Sequence, residues 1–256
     1  NGGLLYDGDR FLGMTYAGGD NGEGCIFEYD LTDGYTHLHD FDDTNGGNPN
    51  GTLVKADNGK FYGITQAGGV IFEFVPENEV PFAKLYDLHN ETGDTPYGSL
   101  IASGGNLYGA TSDGSGYYEE GEFIEDHGRG SLFQFEIASE TFSKLYVGDE
   151  WPGKGYFTGT PLLQNDKLFG YASNGYPSYN VLYSYDLVAE EVAVEYNFFA
   201  LNGEGPKGGL IQASNKKIYG MTAFGGASGE GVIFEYDPFT DSYSRLHSFD
   251  GTSGGQ

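Results

Sequence analysis

The sequence predicts an all-β fold, a five-bladed β-propeller of four-stranded antiparallel blades, on three observations. One strand–loop–strand pattern recurs along the whole chain. The glycine that marks its first strand falls at Gly13, Gly63, Gly109, Gly170 and Gly220, in steps of 50, 46, 61 and 50 residues, and 49 residues lead from Gly220 through the chain end back to Gly13. No segment carries a sustained helical period with caps, while 44 Gly beside 21 Tyr and 19 Phe is the composition of many short strands and tight turns.

Five units fill residues 1–256 as a single domain: Asn1–Pro49, Asn50–Pro96, Tyr97–Phe157, Thr158–Pro206 and Lys207–Gln256. Each holds four strand-length segments, which in the fifth unit are Gly209–Ala213, Lys217–Thr222, Val232–Asp237 and Ser242–Phe249. Turn residues separate the first two strands (Asp7-Gly8-Asp9, Asp57-Asn58-Gly59, Gly104-Gly105-Asn106) and the last two (Leu31-Thr32-Asp33-Gly34, Asp237–Asp241). Ile233-Phe234-Glu235-Tyr236 alternates, yet both faces carry bulky groups, as in sheets packed face to face. The recurrent glycine marks close backbone approach, and the Thr two residues later fits a hydrogen-bonded position where the sheet ends. The tail Asp250–Gln256 joined to Asn1–Leu4 matches Asp43–Leu53, so the two ends read as one unit boundary of a closed ring. Gly2–Tyr6 is expected in the same blade as Arg10–Thr15; the alternative is that it completes the fifth blade's sheet.

Charge limits the partners. Acids outnumber bases 38 to 12, a net charge of −26, so nucleic-acid phosphates and anionic membranes are repelled. Cationic partners and divalent metals stay open, and the simplest use of the charge is a solubilising surface. Cys25 is the sole cysteine, so no intrachain disulfide exists, and it reads as a small buried hydrophobe. No apolar run reaches transmembrane length and no signal peptide stands at the start; an exported protein would be represented here by its mature chain or an excised module.

The long, variable loops join second to third strands and fourth strands to the next unit, and share one face, where binding is expected. The third unit inserts Ser112–Ser131, with Tyr117, Tyr118, Glu119, Glu120, Glu122 and Phe123, and its exit adds Asp149, Glu150, Trp151, Tyr156 and Phe157. The fourth unit's loop adds Tyr176 and Tyr179. Aromatics at loop tips beside acids suit stacking on sugar rings with hydrogen bonds to hydroxyls; the alternative is that the insertion buries its own aromatics as a satellite core. Asp42, Asp43, Asp94 and Asp250 are weak Ca²⁺ candidates, for which Asx-turns are the simpler account. His37, His39, His89, His127 and His247 show no metal-site spacing.

The run x-Leu-Tyr-Gly-x-Thr, then Gly-Gly, Gly-x-Gly, Ile-Phe-Glu-Tyr-Asp and Leu-His-x-Phe-Asp-Gly resembles the GloVer repeat of bacterial surface and secreted proteins, and in its order is similar to kelch blades. The resemblance covers the chain and is weakest at Phe169-Gly170-Tyr171-Ala172, which lacks the Thr. It implies export, with a cell-surface or extracellular location, and frequent membership of long multidomain chains. No cofactor is expected from the residues, with Ca²⁺ left open. A non-enzymatic carbohydrate-binding or adhesion module is the first expectation. A glycoside hydrolase is the second, but the expected inner strands Leu4–Tyr6, Leu53–Lys55, Leu100–Ala102, Leu162–Gln164 and Leu210–Gln212 carry no acid. A catalytic pair would have to come from loops, for example Glu122 with Asp149 or Glu150. A structural display repeat is the third.

Overall fold

The structure is a computed structural model that describes residues 2–89, 92–113, 117–119, 122–124, 130–148, 156–173 and 180–252. They fall into two compact units, Asn1–Val147 and Gly148–Gln256. The first holds three antiparallel sheets and a two-stranded hairpin, and the second holds two sheets; each sheet has four main strands laid side by side in chain order, and the third has a short fifth strand besides. Sheet one is Leu5–Asp7, Arg10–Thr15, Cys25–Asp30 and Gly34–Asp40; sheet two is Val54–Lys55, Phe61–Ile64, Val70–Phe74 and Phe82–Asp87. Sheet three is Ile101–Ser103, Asn106–Asp113, Ser131–Glu136 and Thr141–Val147. Sheet four is Tyr156–Gln164, Lys167–Ser173, Asn180–Asp186 and Glu191–Phe198, and sheet five is Glu204–Gln212, Ile218–Phe224, Val232–Asp237 and Ser242–Ser248. The first strand pairs with Arg10–Thr15 in one sheet, through Leu5 opposite Leu12. The one helical element among the described residues is a 3₁₀ turn, Ala200–Asn202.

The two-residue strand period sorts the core. In sheet two, Phe61, Phe72 and Phe74 join a cluster with Leu12, Met14, Ile26 and Phe41 of sheet one and its exit, while Tyr62, Ile64 and Ile71 join Leu107, Phe133 and Phe135 of sheet three. Sheets four and five share a third cluster around Phe169, Leu182, Ile218 and Phe234. Both faces of the middle strands are therefore buried, which is why those segments read as nearly continuous apolar runs.

The recurrent glycine has a steric cause. Gly13, Gly63, Gly109, Gly170 and Gly220 stand opposite Phe27, Phe72, Phe133, Tyr183 and Phe234 in register. Each ring lies across its glycine so closely that a Cβ at Gly63 would sit 2.3 Å from Phe72 Cζ. A register shift in the third–fourth strand ladder falls at one place in all five sheets, just before that aromatic. It leaves Leu38, Leu85, Leu145, Glu195 or Leu246 as the bulged residue of the fourth strand. Beside the bulges, aromatic pairs stack between neighbouring fourth strands: His39 on Phe82 at 4.2 Å, Tyr86 on Phe142 at 4.7 Å and Tyr196 on Tyr243 at 3.7 Å between ring centroids.

The unit boundaries need correction. Asp94–Pro96, assigned from sequence to the second unit, pairs with Thr111 and Asp113 of sheet three. Tyr156 and Phe157, assigned to the loop leaving the third unit, open the first strand of sheet four opposite Ser173 and Ala172. Glu204 and Pro206 likewise open sheet five opposite Phe224 and Thr222. In each case residues before the expected first strand return onto the far end of the second strand. In sheets four and five a register shift follows, between Thr158 and Leu162 and between Lys207 and Ile211, over Gly159, Pro161, Gly208 and Gly209.

Candidate binding face

The loop-side end of each sheet is closed by a threonine or by a longer ladder. Thr65 Oγ1 accepts the amide of Val70 at 3.0 Å and donates to the Ala67 carbonyl at 3.0 Å. Thr222 does the same for Val232 and Phe224, at 3.1 and 2.9 Å. Thr15 and Thr111 accept from the amides of Cys25 and Ser131. The hydroxyl thus supplies the acceptor at the point where second and third strands diverge into a loop. Sheet four has Ala172 there, and its ladder runs on instead, through Ala172 opposite Val181 to Ser173 opposite Asn180. Sheet three keeps Thr111 but extends its second strand to Asp113. Its insertion builds a separate two-stranded hairpin, Tyr117–Glu119 against Glu122–Ile124, with Tyr118 opposite Phe123. At the loop-side end the third repeat thus adds a hairpin and the fourth extends the ladder of its second and third strands, while the fourth and fifth both fold the start of their first strand onto the second.

Against this frame the sequence-predicted residues distribute unevenly. Tyr117, Tyr118 and Glu119 form one strand of the hairpin; the placement of their side chains lies outside the described residues, as do Glu120, Asp149, Glu150, Trp151, Tyr176 and Tyr179 entirely. Tyr156 is a half-buried strand residue rather than a loop-tip aromatic. Asp42 and Asp250 cap their own loops. Asp42 Oδ1 accepts from Thr44 Oγ1, Thr44 N and Asn45 N at 2.6, 2.7 and 2.9 Å, and Asp250 Oδ1 from Thr252 Oγ1 and N at 2.8 and 3.0 Å. The hydrogen bonds from Thr44, side chain and then backbone, hold the Asp42 carboxyl below the usual carboxylate range. Asp43 is exposed beside Asp42, and Asp94 lies in a strand with its side chain outside the described residues. Among the described residues no three His, Cys, Asp or Glu side chains converge as a metal-binding group.

Two features escaped the sequence reading. Between sheets four and five, Phe199 and Leu201 are exposed beside exposed Phe224 of sheet five, on loop-side segments that are firmly held: Gly226 N donates to Ala200 O at 3.0 Å, Tyr243 donates to Asn202 O, and Glu204 caps the Ala200 amide at 2.8 Å. At the opposite, turn-side end, an Asn-x-Lys-x-Tyr run meets a Glu of the third strand. Lys217 and Tyr219 both donate to Glu235, at 2.6 Å each, and Asn215 donates to Tyr219 at 2.8 Å. Asn58, Lys60, Tyr62 and Glu73 repeat the arrangement in sheet two. The Lys217 bond is the main reason that the Glu235 carboxyl is held below its usual range, and burial pushes the Tyr62 hydroxyl up to about 12. The signal was the shared Asn-x-Lys-x-Tyr-Gly spacing.

A family model described as the Gloeobacter/Verrucomicrobia repeat matches residues 1–155 and 123–256. No curated protein matches the chain. Among solved structures it is similar to a chain of one described as the nidogen/laminin complex, at 12% identity and a TM-score of 0.59, over 94% of this chain and 76% of that one. It is similar to an oligogalacturonate lyase in complex with manganese, at 13% identity and a TM-score of 0.60, over 94% of this chain and 63% of that one. It is also similar to a chain from a structural and mechanistic analysis of two prolyl endopeptidases, at 14% identity and a TM-score of 0.61, over 97% of this chain and 36% of that one. The chain thus spans less than two thirds of the lyase and endopeptidase chains. The likeness is one of fold, and with the five four-stranded antiparallel sheets it places the chain in the β-propeller class.

Proposed function

Because the chain belongs to the Gloeobacter/Verrucomicrobia repeat family, we propose that it is a non-catalytic binding module that recognises a carbohydrate outside the cell through the loops of its third and fourth repeats. The observation that carries this reading is where the repeat is broken. Packing is satisfied in the first, second and fifth repeats by a glycine under a ring and a threonine at the loop-side end. The third and fourth add a hairpin, a longer second strand and an extended ladder at that same end. Structure added beyond what packing needs, on the loop side of a rigid scaffold, is the usual site of recognition. The loop sequences of the two repeats supply Tyr117, Tyr118, Tyr176, Tyr179 and Trp151 with Glu119, Glu120, Asp149 and Glu150, rings for sugar faces and acceptors for hydroxyls. Weak affinity per site would be raised by repeated copies in a longer chain.

Hydrolysis is the lesser reading: the first strands hold two acids, Asp7 and Glu204, where the sequence led us to expect none, and both are engaged, Asp7 by Arg10 and Lys55 and Glu204 by the Ala200 amide. A glycan array probed with and without Ca²⁺ tests the proposal. Binding to a defined saccharide class supports it, and its dependence on Ca²⁺ decides whether the acidic loops take part. An array without a single ligand supports a structural repeat instead.

A further inference from the structure

Within the two units, three junctions between successive sheets are described, and two are bridged at their turn-side ends. Between sheets one and two, Arg10 holds Glu28 at 2.9 Å and reaches across to Glu77 of the next sheet's turn, while Lys55 pairs with Asp7. Between sheets four and five, Gln164 donates to the Lys216 carbonyl at 2.8 Å, and Tyr236 donates to Glu195. The junction between sheets two and three has a cleft of about 460 Å³ in that place. The cause is visible in the sequence. Ala138 stands three residues after Phe135 where Glu77 stands three after Phe74, so no side chain reaches back, and Ala83 projects nothing into the gap.

The lining has a definite polarity. Half-buried Ala56, Leu85 and Ile137 make an apolar floor, and exposed Ala83 and Ala138 stand at its edge. Lys60 is occupied by Glu73, at 2.8 and 2.9 Å, and Glu73 also receives the Tyr62 hydroxyl at 2.9 Å. Asp57 and Glu140 stand on the rim, and among the described residues neither has a hydrogen bond or ion pair. An apolar floor, a neutralised lysine and two unengaged carboxylates select against anions. We infer that this cleft binds a small organic cation, an ammonium group on a short apolar body, with the charge between Asp57 and Glu140 and the body on Ala83, Leu85 and Ile137. The volume falls within the range of small-molecule sites, about 300–1,000 Å³. The net charge of −26 raises the local concentration of cations around the chain.

The test is a titration of the intact chain with 2-phenylethylammonium and with its neutral counterpart 2-phenylethanol, followed by NMR shifts of the Ala56 and Ile137 amides. The parent is expected to bind the ammonium saturably and the alcohol at least tenfold more weakly. Ala83→Phe, which fills the cleft, and the paired turn substitutions Asp57→Asn with Glu140→Gln should each weaken the ammonium at least tenfold. Circular dichroism checks the fold, and the turn variant, altered only at exposed positions, stands if the filled variant does not fold. Absence of saturable binding to the parent, equal binding of the alcohol, or full binding by the turn variant overturns the inference. The last result would mean that diffuse surface charge alone attracts the cation.

Discussion

Tyr236, on the third strand of sheet five, donates its phenolic hydrogen to Glu195, the bulged residue in the fourth strand of sheet four. At the equivalent places in sheets two and three stand Leu85 and Phe135, members of one apolar cluster. An apolar contact has thus been exchanged on both sides at once for a hydrogen bond to a carboxylate. Ser184 donates to the other Glu195 oxygen, and Asp241 Oδ1 lies 2.9 Å from the Tyr236 hydroxyl. Burial first, and then the Glu195 carboxylate, pushes Tyr236 far above the usual phenol range, so it remains a donor at every accessible pH.

The pair should behave as a unit. Tyr236→Phe removes one of the two donors to a half-buried carboxylate and is expected to cost about 1–3 kcal/mol. Glu195→Leu with Tyr236→Phe restores the apolar pair used between sheets two and three, and should recover most of that loss. Urea unfolding of both singles and the double measures the coupling. Strictly additive effects would show that the two residues do not act together.

Gly63→Ala tests the steric origin of the repeat's glycine. The backbone there needs no positive φ, so the added methyl acts only by meeting Phe72. Overpacking should cost about 1–3 kcal/mol, and Phe72→Leu should relieve part of it in the double variant. An unfolding midpoint for Gly63→Ala equal to the parent's would remove the explanation.

The threonine closure gives an asymmetric pair. Thr222→Val leaves the buried amide of Val232 without its acceptor, for an expected loss of about 1–3 kcal/mol. Ala172→Thr in sheet four should bring no comparable gain, because the ladder there runs one pair further, to Ser173 opposite Asn180, and needs no side chain to close it. Denaturant unfolding of both variants checks the contrast.

His39 sets a pH dependence. It is stacked on Phe82, and its Nε2 is buried without a hydrogen-bond partner among the described residues. Burial lowers its pKa, against the opposing pull of Asp40 and then Asp42 and with a small contribution from His37. A depressed histidine is neutral when folded and takes up a proton more readily when unfolded. Its contribution is therefore complete above the ordinary value of about 6.5 and is lost as pH falls through that value towards the depressed one. Between pH 7.5 and 5.5 the parent should lose more stability than His39→Phe, as read from urea midpoints. Equal losses would mean that His39 does not titrate differently on folding.

Much of the fold was legible because packing demands repeat. Gly63 under Phe72 and Thr65 at the end of its sheet recur at one spacing, and a repeated need leaves a repeated residue. What was not legible lay in the joins. Pro96 and Pro206 read as unit ends, yet both sit in ladders, opposite Thr111 and Thr222. Tyr156 was misplaced because the register shift between Thr158 and Leu162 hides that its segment continues the first strand of sheet four. The turn-side cleft was hidden because it arises from what Ala138 lacks, and an absent side chain leaves no motif. Of the candidate site, the added structure around Tyr117–Ile124 was foreseen as an insertion, but pairing within it depends on a local turn that composition does not specify.

The central claim is that the loops of the third and fourth repeats recognise a carbohydrate, and Trp151 is its most direct probe. The measurement is the dissociation constant of Trp151→Ala for the best saccharide from the array, beside the parent, with the fold of both checked by circular dichroism. The account predicts at least tenfold weaker binding with an unchanged unfolding midpoint. Unchanged affinity, or a loss of about 3–5 kcal/mol of stability as for a core tryptophan, would contradict it.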